Sequence, residues 1–150
     1  MHDPSIFELN RQFAAKISYT GPIDKKELRR WYRIADVGVI PSFSEQCSYA
    51  GIEMMMHGLP IVASDGFGVR NMFQDGVNAR TAQIGNRKKP KEFISSLTDA
   101  LLELLSSESL CSDLGKSARQ MYLSRYLPEK MFDKYKKLLD DLSIDAKTAE

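Results

Sequence analysis

Four short runs of three to five residues, two of them stopped directly by glycine or proline, alternate with helical patterns over residues 16–82. They are Lys16-Ile-Ser-Tyr-Thr, ended by Gly21-Pro22; Val37-Gly-Val-Ile40, ended by Pro41; Ile61-Val-Ala63, followed by Ser64-Asp-Gly-Phe-Gly68; and Asn78 to Ala82. All four read as strands, those at 37–40 and 61–63 as buried ones, and strands separated by helices build right-handed βαβ units around a parallel sheet. The helices between them carry their own punctuation. Asp24-x-x-Glu27 has capping-box spacing, and Leu28, Trp31, Tyr32 and Ala35 share the following face. A second helix covers roughly Ser48 to His57 and is closed by Gly58 and Pro60; a short one over Val69 to Phe73 leads into the turn Asp75-Gly76.

Beyond residue 90 the pattern is helical throughout. Phe93, Leu97, Ala100, Leu101, Leu104 and Leu105 form one stripe; Leu110, Leu114, Ala118, Met121 and Tyr122 a second; Met131, Tyr135, Leu138 and Leu142 a third, opened by Pro128-Glu129. Burial within the domain is expected for Tyr126, Met131 and Phe132. Ile6, Phe7, Leu9, Phe13 and Ala14 have the spacing of a short opening helix. The expectation is therefore an α/β fold: a Rossmann-like parallel sheet of about four strands, truncated, with helices on both faces and a helical C-terminal third, in one domain over 1–150.

Composition removes several function classes. Twenty-one basic against 20 acidic residues leave a net charge of +1, so no polyanion-binding surface is demanded and no nucleic-acid partner is expected. Cys47 and Cys111 make neither a disulfide framework nor, with two histidines, a zinc framework; no metal site is expected. No apolar run reaches the ~18 residues of a membrane span, and Met-His-Asp-Pro lacks the regions of a signal peptide, so a cytoplasmic protein is expected. Familiar signatures fail in instructive ways. Gly115-Lys116-Ser117 ends like a phosphate-binding loop but has Leu110 where its first glycine belongs, and Gly66-Phe-Gly68 starts a dinucleotide fingerprint that Asn71 breaks. His57, in a helix's last turn, complements the C-terminal dipole rather than serving a hydrolytic triad.

The informative stretch is Pro41-Ser-Phe-Ser-Glu45-Gln-Cys-Ser-Tyr-Ala-Gly-Ile-Glu53, ending at Gly58-Leu-Pro60. Glu45 falls in the loop outside the C-terminal edge of the sheet, where open α/β folds place ligands. Glu53 falls about one and a half turns inside the next helix. The free amides around Ser48, Tyr49 and Ala50 suit a phosphate, and a carboxylate to either side suits sugar hydroxyls. A plainer reading fits the same spacing: Ser42-x-x-Glu45 is also a capping-box spacing, and a helical Glu53 is ordinarily solvated.

Residues 17–81 resemble the C-terminal, donor-binding half of retaining GT-B glycosyltransferases of the group 1 family. The resemblance rests on Tyr19-Thr-Gly21, Ala35-Asp36-Val37, Pro41-Ser42, the Glu-x7-Glu pair Glu45 and Glu53, Gly58-Leu-Pro60, the glycine loop and Asp75-Gly76; the helices over 90–142 fit the family's ending. It implies transfer of a sugar from a nucleotide diphosphate-sugar, retaining and metal-independent, with no cofactor beyond the donor. Glu45 would hold donor-sugar hydroxyls at the reacting carbon and is the implied catalytic residue. Glu53 would accept from the ribose hydroxyls, Ser48, Tyr49 and neighbouring Cys47 would meet the phosphates, and Gly21, Pro22 and Ile23 would border the base. Cys47 and Ser48 stand where the family usually has Phe-Gly, Asn71 where it often has glutamate, and Ala79 where it has glycine.

The family's first strand of this domain, which carries an Arg and a Lys for the diphosphate, has no counterpart before Ile17. The expectation is an incomplete donor domain, inactive alone, whose saccharide or lipid-linked acceptor would be held by a missing N-terminal domain, with peripheral membrane contact possible in the full protein. Two other readings stay open on sequence: a non-catalytic α/β module that keeps the fold, and another sugar-nucleotide enzyme such as an epimerase.

Overall fold

The computed structural model describes residues 17–148; the opening helix expected near Ile6 to Ala14 lies outside them. The chain divides into two units, Met1–Trp31 and Tyr32–Glu150.

In the first unit, residues 17–20 run without a ladder partner, and Ile17 and Tyr19 are about half exposed. This corrects the strand expected near 16–19. An apolar run becomes a strand only when a neighbouring backbone takes up its N–H and C=O groups, and none does so here among the described residues. Gly21 then turns the chain at φ 66°, and helix α1 (Lys25–Ile34) begins with the Glu27 amide donating to Asp24 Oδ1 at 2.8 Å, one half of the capping box.

The second unit holds the sheet. Strands β1 (Gly38–Ile40), β2 (Ile61–Ser64) and β3 (Arg80–Ala82) lie in sequential order and are parallel throughout, with Val39 opposite Val62 and Ala63 opposite Thr81. Helix α2 (Tyr49–His57) joins β1 to β2, and the single turn α3 (Val69–Met72) lies between β2 and β3. Helices α4 (Pro90–Leu105) and α5 (Glu108–Met121), a π-helical turn (Tyr122–Tyr126) and α6 (Pro128–Thr148) follow. The sheet has three strands among the described residues, one fewer than expected, and the three are those placed near 37–40, 61–63 and 79–82.

All four residues of β2 are buried, so the central strand must be covered on both faces. Ile61 and Ala63 face Met55 of α2, Val69 and Met72 of α3, Phe73 and Ala118 of α5. Val62 points the other way, to Ala100 and Leu104 of α4 and Leu114 of α5. Helix α5 thus reaches both cores, and its glycine explains how. A Cβ on Gly115 would stand 2.4 Å from the carbonyl oxygen of Gly58, so α5 lies directly against the left-handed end of α2. The near-match to a phosphate-binding loop is a helix-packing contact.

Two expectations about packing are corrected. Trp31 and Leu105 are largely exposed despite their stripes. More consequentially, Met131 and Phe132 are not buried, and neither is the rest of the third stripe. Met131, Phe132, Tyr135, Leu138, Leu139 and Leu142 on α6 are each 53–67% exposed. Periodicity identifies an apolar face but does not supply the surface that covers it. Tyr126, one turn earlier, does pack on the first core.

Candidate functional site at the C-terminal edge of the sheet

The loops after β1 and β2 meet at the C-terminal edge, and glycines set how closely. The Glu45 amide donates to the Phe67 carbonyl at 3.0 Å, and Ser44 bridges Phe67 in parallel fashion. A Cβ on Gly66 would stand 2.7 Å from the carbonyl oxygens of both Ser42 and Phe43. One on Gly68, at φ 79°, would stand 1.6 Å from that of Glu45. No side chain fits there, so the Gly66-x-Gly68 spacing serves backbone against backbone. The Ser64 hydroxyl donates to the Ser42 carbonyl, and the Ser42 hydroxyl donates to Glu45 Oε1. No helix follows Ser42, so this is not a capping box: the half-buried Glu45 carboxylate is held by a side chain.

Helix α2 starts beside this loop. Ser48 is its N-cap, with extended backbone and a hydroxyl oxygen that accepts from the Gly51 amide at 3.2 Å. Ser48 is buried, and its own amide is directed at the sulfur of Met72, 3.4 Å away. Ser48 therefore shapes the helix start, and the amides left without an intrahelical acceptor are those of Tyr49 and Ala50. Tyr49 is exposed, as is Cys47 just before the cap. Gly51 is buried because a Cβ would meet Phe73 at 2.6 Å and Ile40 at 2.9 Å, which seats the first turn on the sheet.

Glu53 stands three residues after Ala50 and four after Tyr49, on the same side of α2 as both. Its Oε2 accepts from the Tyr32 hydroxyl at 3.2 Å. Burial, then the Glu53 charge and this hydrogen bond, push the Tyr32 phenol up to about 12. Tyr32 is thus a fixed donor that steers one oxygen of Glu53. Sequence reading placed Tyr32 on an apolar face; the contact joins residues 21 apart and has no local signal. A second addition comes from the basic loop 85–90. Arg87 donates to the Phe43 carbonyl at 2.9 Å, with its guanidinium 5.4 Å from the Phe43 ring centre, and brings positive charge to the loop after β1.

Gly21, Pro22 and Ile23 lie in the first unit, in the turn before α1. A depression of about 580 Å³ lined by Asp36, Pro60, Cys111, Lys116 and Arg119 lies at the other, N-terminal edge of the sheet, away from both glutamates. Among the described residues no three His, Cys, Asp or Glu side chains gather as a metal-binding group, and no helix is long and apolar enough to cross a membrane.

A parallel sheet with a phosphate-compatible helix start and two acidic side chains at its C-terminal edge is a common frame, so sequence comparison decides the family. The model of the family described as glycosyl transferases group 1 matches residues 2–107. The chain belongs to that family. A D-inositol 3-phosphate glycosyltransferase of Paenarthrobacter aurescens is 31% identical over 102 residues, covering 68% of this chain and 23% of the relative. Among solved structures, sucrose-phosphate synthase of Thermosynechococcus elongatus superposes with a TM-score of 0.79 at 22% identity, over 95% of this chain and 34% of that one. HepE of Anabaena, solved in complex with UDP-glucose, superposes with a TM-score of 0.68 at 15% identity, over 91% and 36%. These neighbours are GT-B enzymes and establish that fold for the group 1 chain. It spans about a quarter of the length of the curated relatives it matches.

Proposed function

We propose that this group 1 chain is the donor-binding part of a glycosyltransferase that takes a sugar from a nucleotide diphosphate-sugar without a metal ion. The observation that carries the reading is the start of α2: two open amides, Tyr49 and Ala50, with Glu53 one turn on and held by Tyr32. The diphosphate lies on that helix end, where unpaired donors and the dipole act together. Glu53 accepts from the ribose hydroxyls. Glu45, fixed by Ser42, accepts from donor-sugar hydroxyls beside the anomeric carbon. In the transfer, the bond from that carbon to the diphosphate breaks with its electron pair leaving on the nucleotide diphosphate, and an acceptor hydroxyl oxygen forms the new bond and gives up its proton to the departing diphosphate oxygen. Positive charge from Arg87 and the helix end favours the departing diphosphate. Cys47 flanks the phosphates. Retention of configuration, and the assignment of Gly21, Pro22 and Ile23 to the base, rest on the family resemblance alone.

The reading includes a limit on what this chain does by itself. Each charged hydrogen bond to a diphosphate contributes roughly 1.5–3 kcal/mol. On the proposed reading, the two basic contacts that the family resemblance implies are not supplied by residues 17–148, and without them binding falls about a hundredfold or more, from micromolar toward millimolar. Calorimetric titration with uridine and guanosine diphosphate-sugars tests this, alongside an assay for transfer to added saccharides. The expected result is weak binding, further weakened by Glu53→Ala, and no transfer. Micromolar binding, or weak binding indifferent to Glu53→Ala, contradicts the assignment.

A further inference from the structure

We infer that Tyr32 is a positioning residue for nucleotide selection: acting through Glu53, it sets the preference of the α2 site for a nucleotide that carries both ribose hydroxyls. This role rests on the donor-binding function proposed for the start of α2. Three side chains build the arrangement. Glu53 and His57 stand four residues apart on one face of α2, both half-buried, and Tyr32, in the last turn of α1, meets both. Its ring centre lies 5.6 Å from that of His57, with 33° between the planes, and its hydroxyl donates to Glu53 Oε2 at 3.2 Å. The ring contact locates the phenol, and the phenol locates the carboxylate.

A glutamate left to itself is a poor selector. Its side chain turns about several bonds, and immobilising it on a ligand consumes part of the binding energy. Tyr32 imposes that restriction before the nucleotide arrives. Tyr32 is itself buried, and burial together with the Glu53 charge pushes its phenol up to about 12, so at neutral pH it stays a protonated donor. A carboxylate held in place also discriminates more sharply. A ribose hydroxyl satisfies it, whereas a nucleotide lacking that hydroxyl displaces water from the carboxylate and returns no hydrogen bond. Once the Tyr32 hydroxyl is removed, the carboxylate is able to turn away when no ribose hydroxyl is offered, and discrimination falls. The phosphate contacts at the Tyr49 and Ala50 amides do not involve Tyr32, so the effect is confined to the ribose.

The test titrates the isotopically labelled full chain at neutral pH with UDP and, separately, with 2′,3′-dideoxyuridine diphosphate, following backbone amide resonances. The quantity read is the ratio of the two dissociation constants. The unsubstituted chain should bind UDP at least about tenfold more tightly than the dideoxy analogue. Tyr32→Phe keeps the ring beside His57 and should cut that ratio at least about threefold by weakening UDP alone. Glu53→Ala should bring the ratio close to one, and adding Tyr32→Phe to it should change nothing further, as expected of two residues acting through one contact. A ratio abolished by Glu53→Ala but untouched by Tyr32→Phe overturns the role of Tyr32 while the donor site stands. Equal weakening of both nucleotides by Tyr32→Phe overturns it as well, because a purely structural loss acts on both. A ratio close to one in the unsubstituted chain, or one indifferent to Glu53→Ala, overturns the ribose assignment of Glu53 and the role of Tyr32 with it. If Tyr32→Phe unfolds by circular dichroism, the Tyr32 ring resonances of the unsubstituted chain decide: they should move with UDP and stay with the dideoxy analogue, and movement with both or with neither overturns the proposal.

Discussion

Replacing Gly68 by alanine probes the joint between the two loops on which Glu45 depends. Two separate effects act at this position. The backbone lies at φ 79° and ψ −41°, a region L-residues rarely adopt, and forcing alanine into it costs about 1–3 kcal/mol. The new Cβ would also lie 1.6 Å from the Glu45 carbonyl oxygen and 2.8 Å from its carbon. Ordinary contacts between heavy atoms settle near 3.5 Å, so the two backbones must part by more than about 1.5 Å. That movement breaks the Glu45–Phe67 hydrogen bond and carries Glu45 with it. Overpacking of this kind adds about 1–3 kcal/mol, for a combined loss of about 2–6 kcal/mol out of a typical 5–15. Gly76→Ala is the control, since it shares a positive φ of 68° but its Cβ would come no closer than 4.0 Å to any neighbour. Urea unfolding of both variants, compared at equal m-values, separates strain from collision. If Gly68→Ala loses no more stability than Gly76→Ala, the loops are not locked in the manner described.

Two further outcomes follow from buried polar groups. Burial and the Glu53 carboxylate push the Tyr32 phenol up to about 12 from its ordinary value near 10, so its contribution to stability is complete below about pH 10 and is lost as pH rises through 10 to 12; Tyr32→Phe should remove that part of the alkaline loss, as followed by unfolding at stepped pH. Asn78 is fully buried, accepting from the Gln74 amide at 2.7 Å and donating to the Met72 carbonyl at 2.9 Å, so Asn78→Ala should destabilise by about 2–5 kcal/mol in the same unfolding assay.

What the sequence made legible divides along physical lines. Strands β1 and β2 were readable as short apolar runs bounded by Pro41, Gly58 and Gly68, whereas β3, Arg80-Thr-Ala with two of its three residues only half-buried, was marked by the Asp75-Gly76 turn before it. The cap at Ser48 and the left-handed Gly58 were readable because both are local. Residues 17–20 were misread because strand formation depends on a neighbour that the run itself does not specify. The same limit applied to α6, whose stripe was evident while its exposure was not. Gly66 and Gly68 announced a special backbone, but their partner, the Ser42–Glu45 loop, is remote in sequence. So are Tyr32 for Glu53 and Arg87 for Phe43, the two contacts at the site that local pattern did not show.

The central claim is that a nucleotide diphosphate-sugar binds at the start of α2. Titrating the isotopically labelled chain with UDP-glucose to several millimolar, and following backbone amide resonances, tests it directly. The account predicts concentration-dependent shifts concentrated at Tyr49, Ala50 and Glu53, extending to the Glu45 loop and diminished by Glu53→Ala. Shifts confined to Asp36, Lys116 and Arg119 at the opposite edge of the sheet, or none at any concentration, would contradict it.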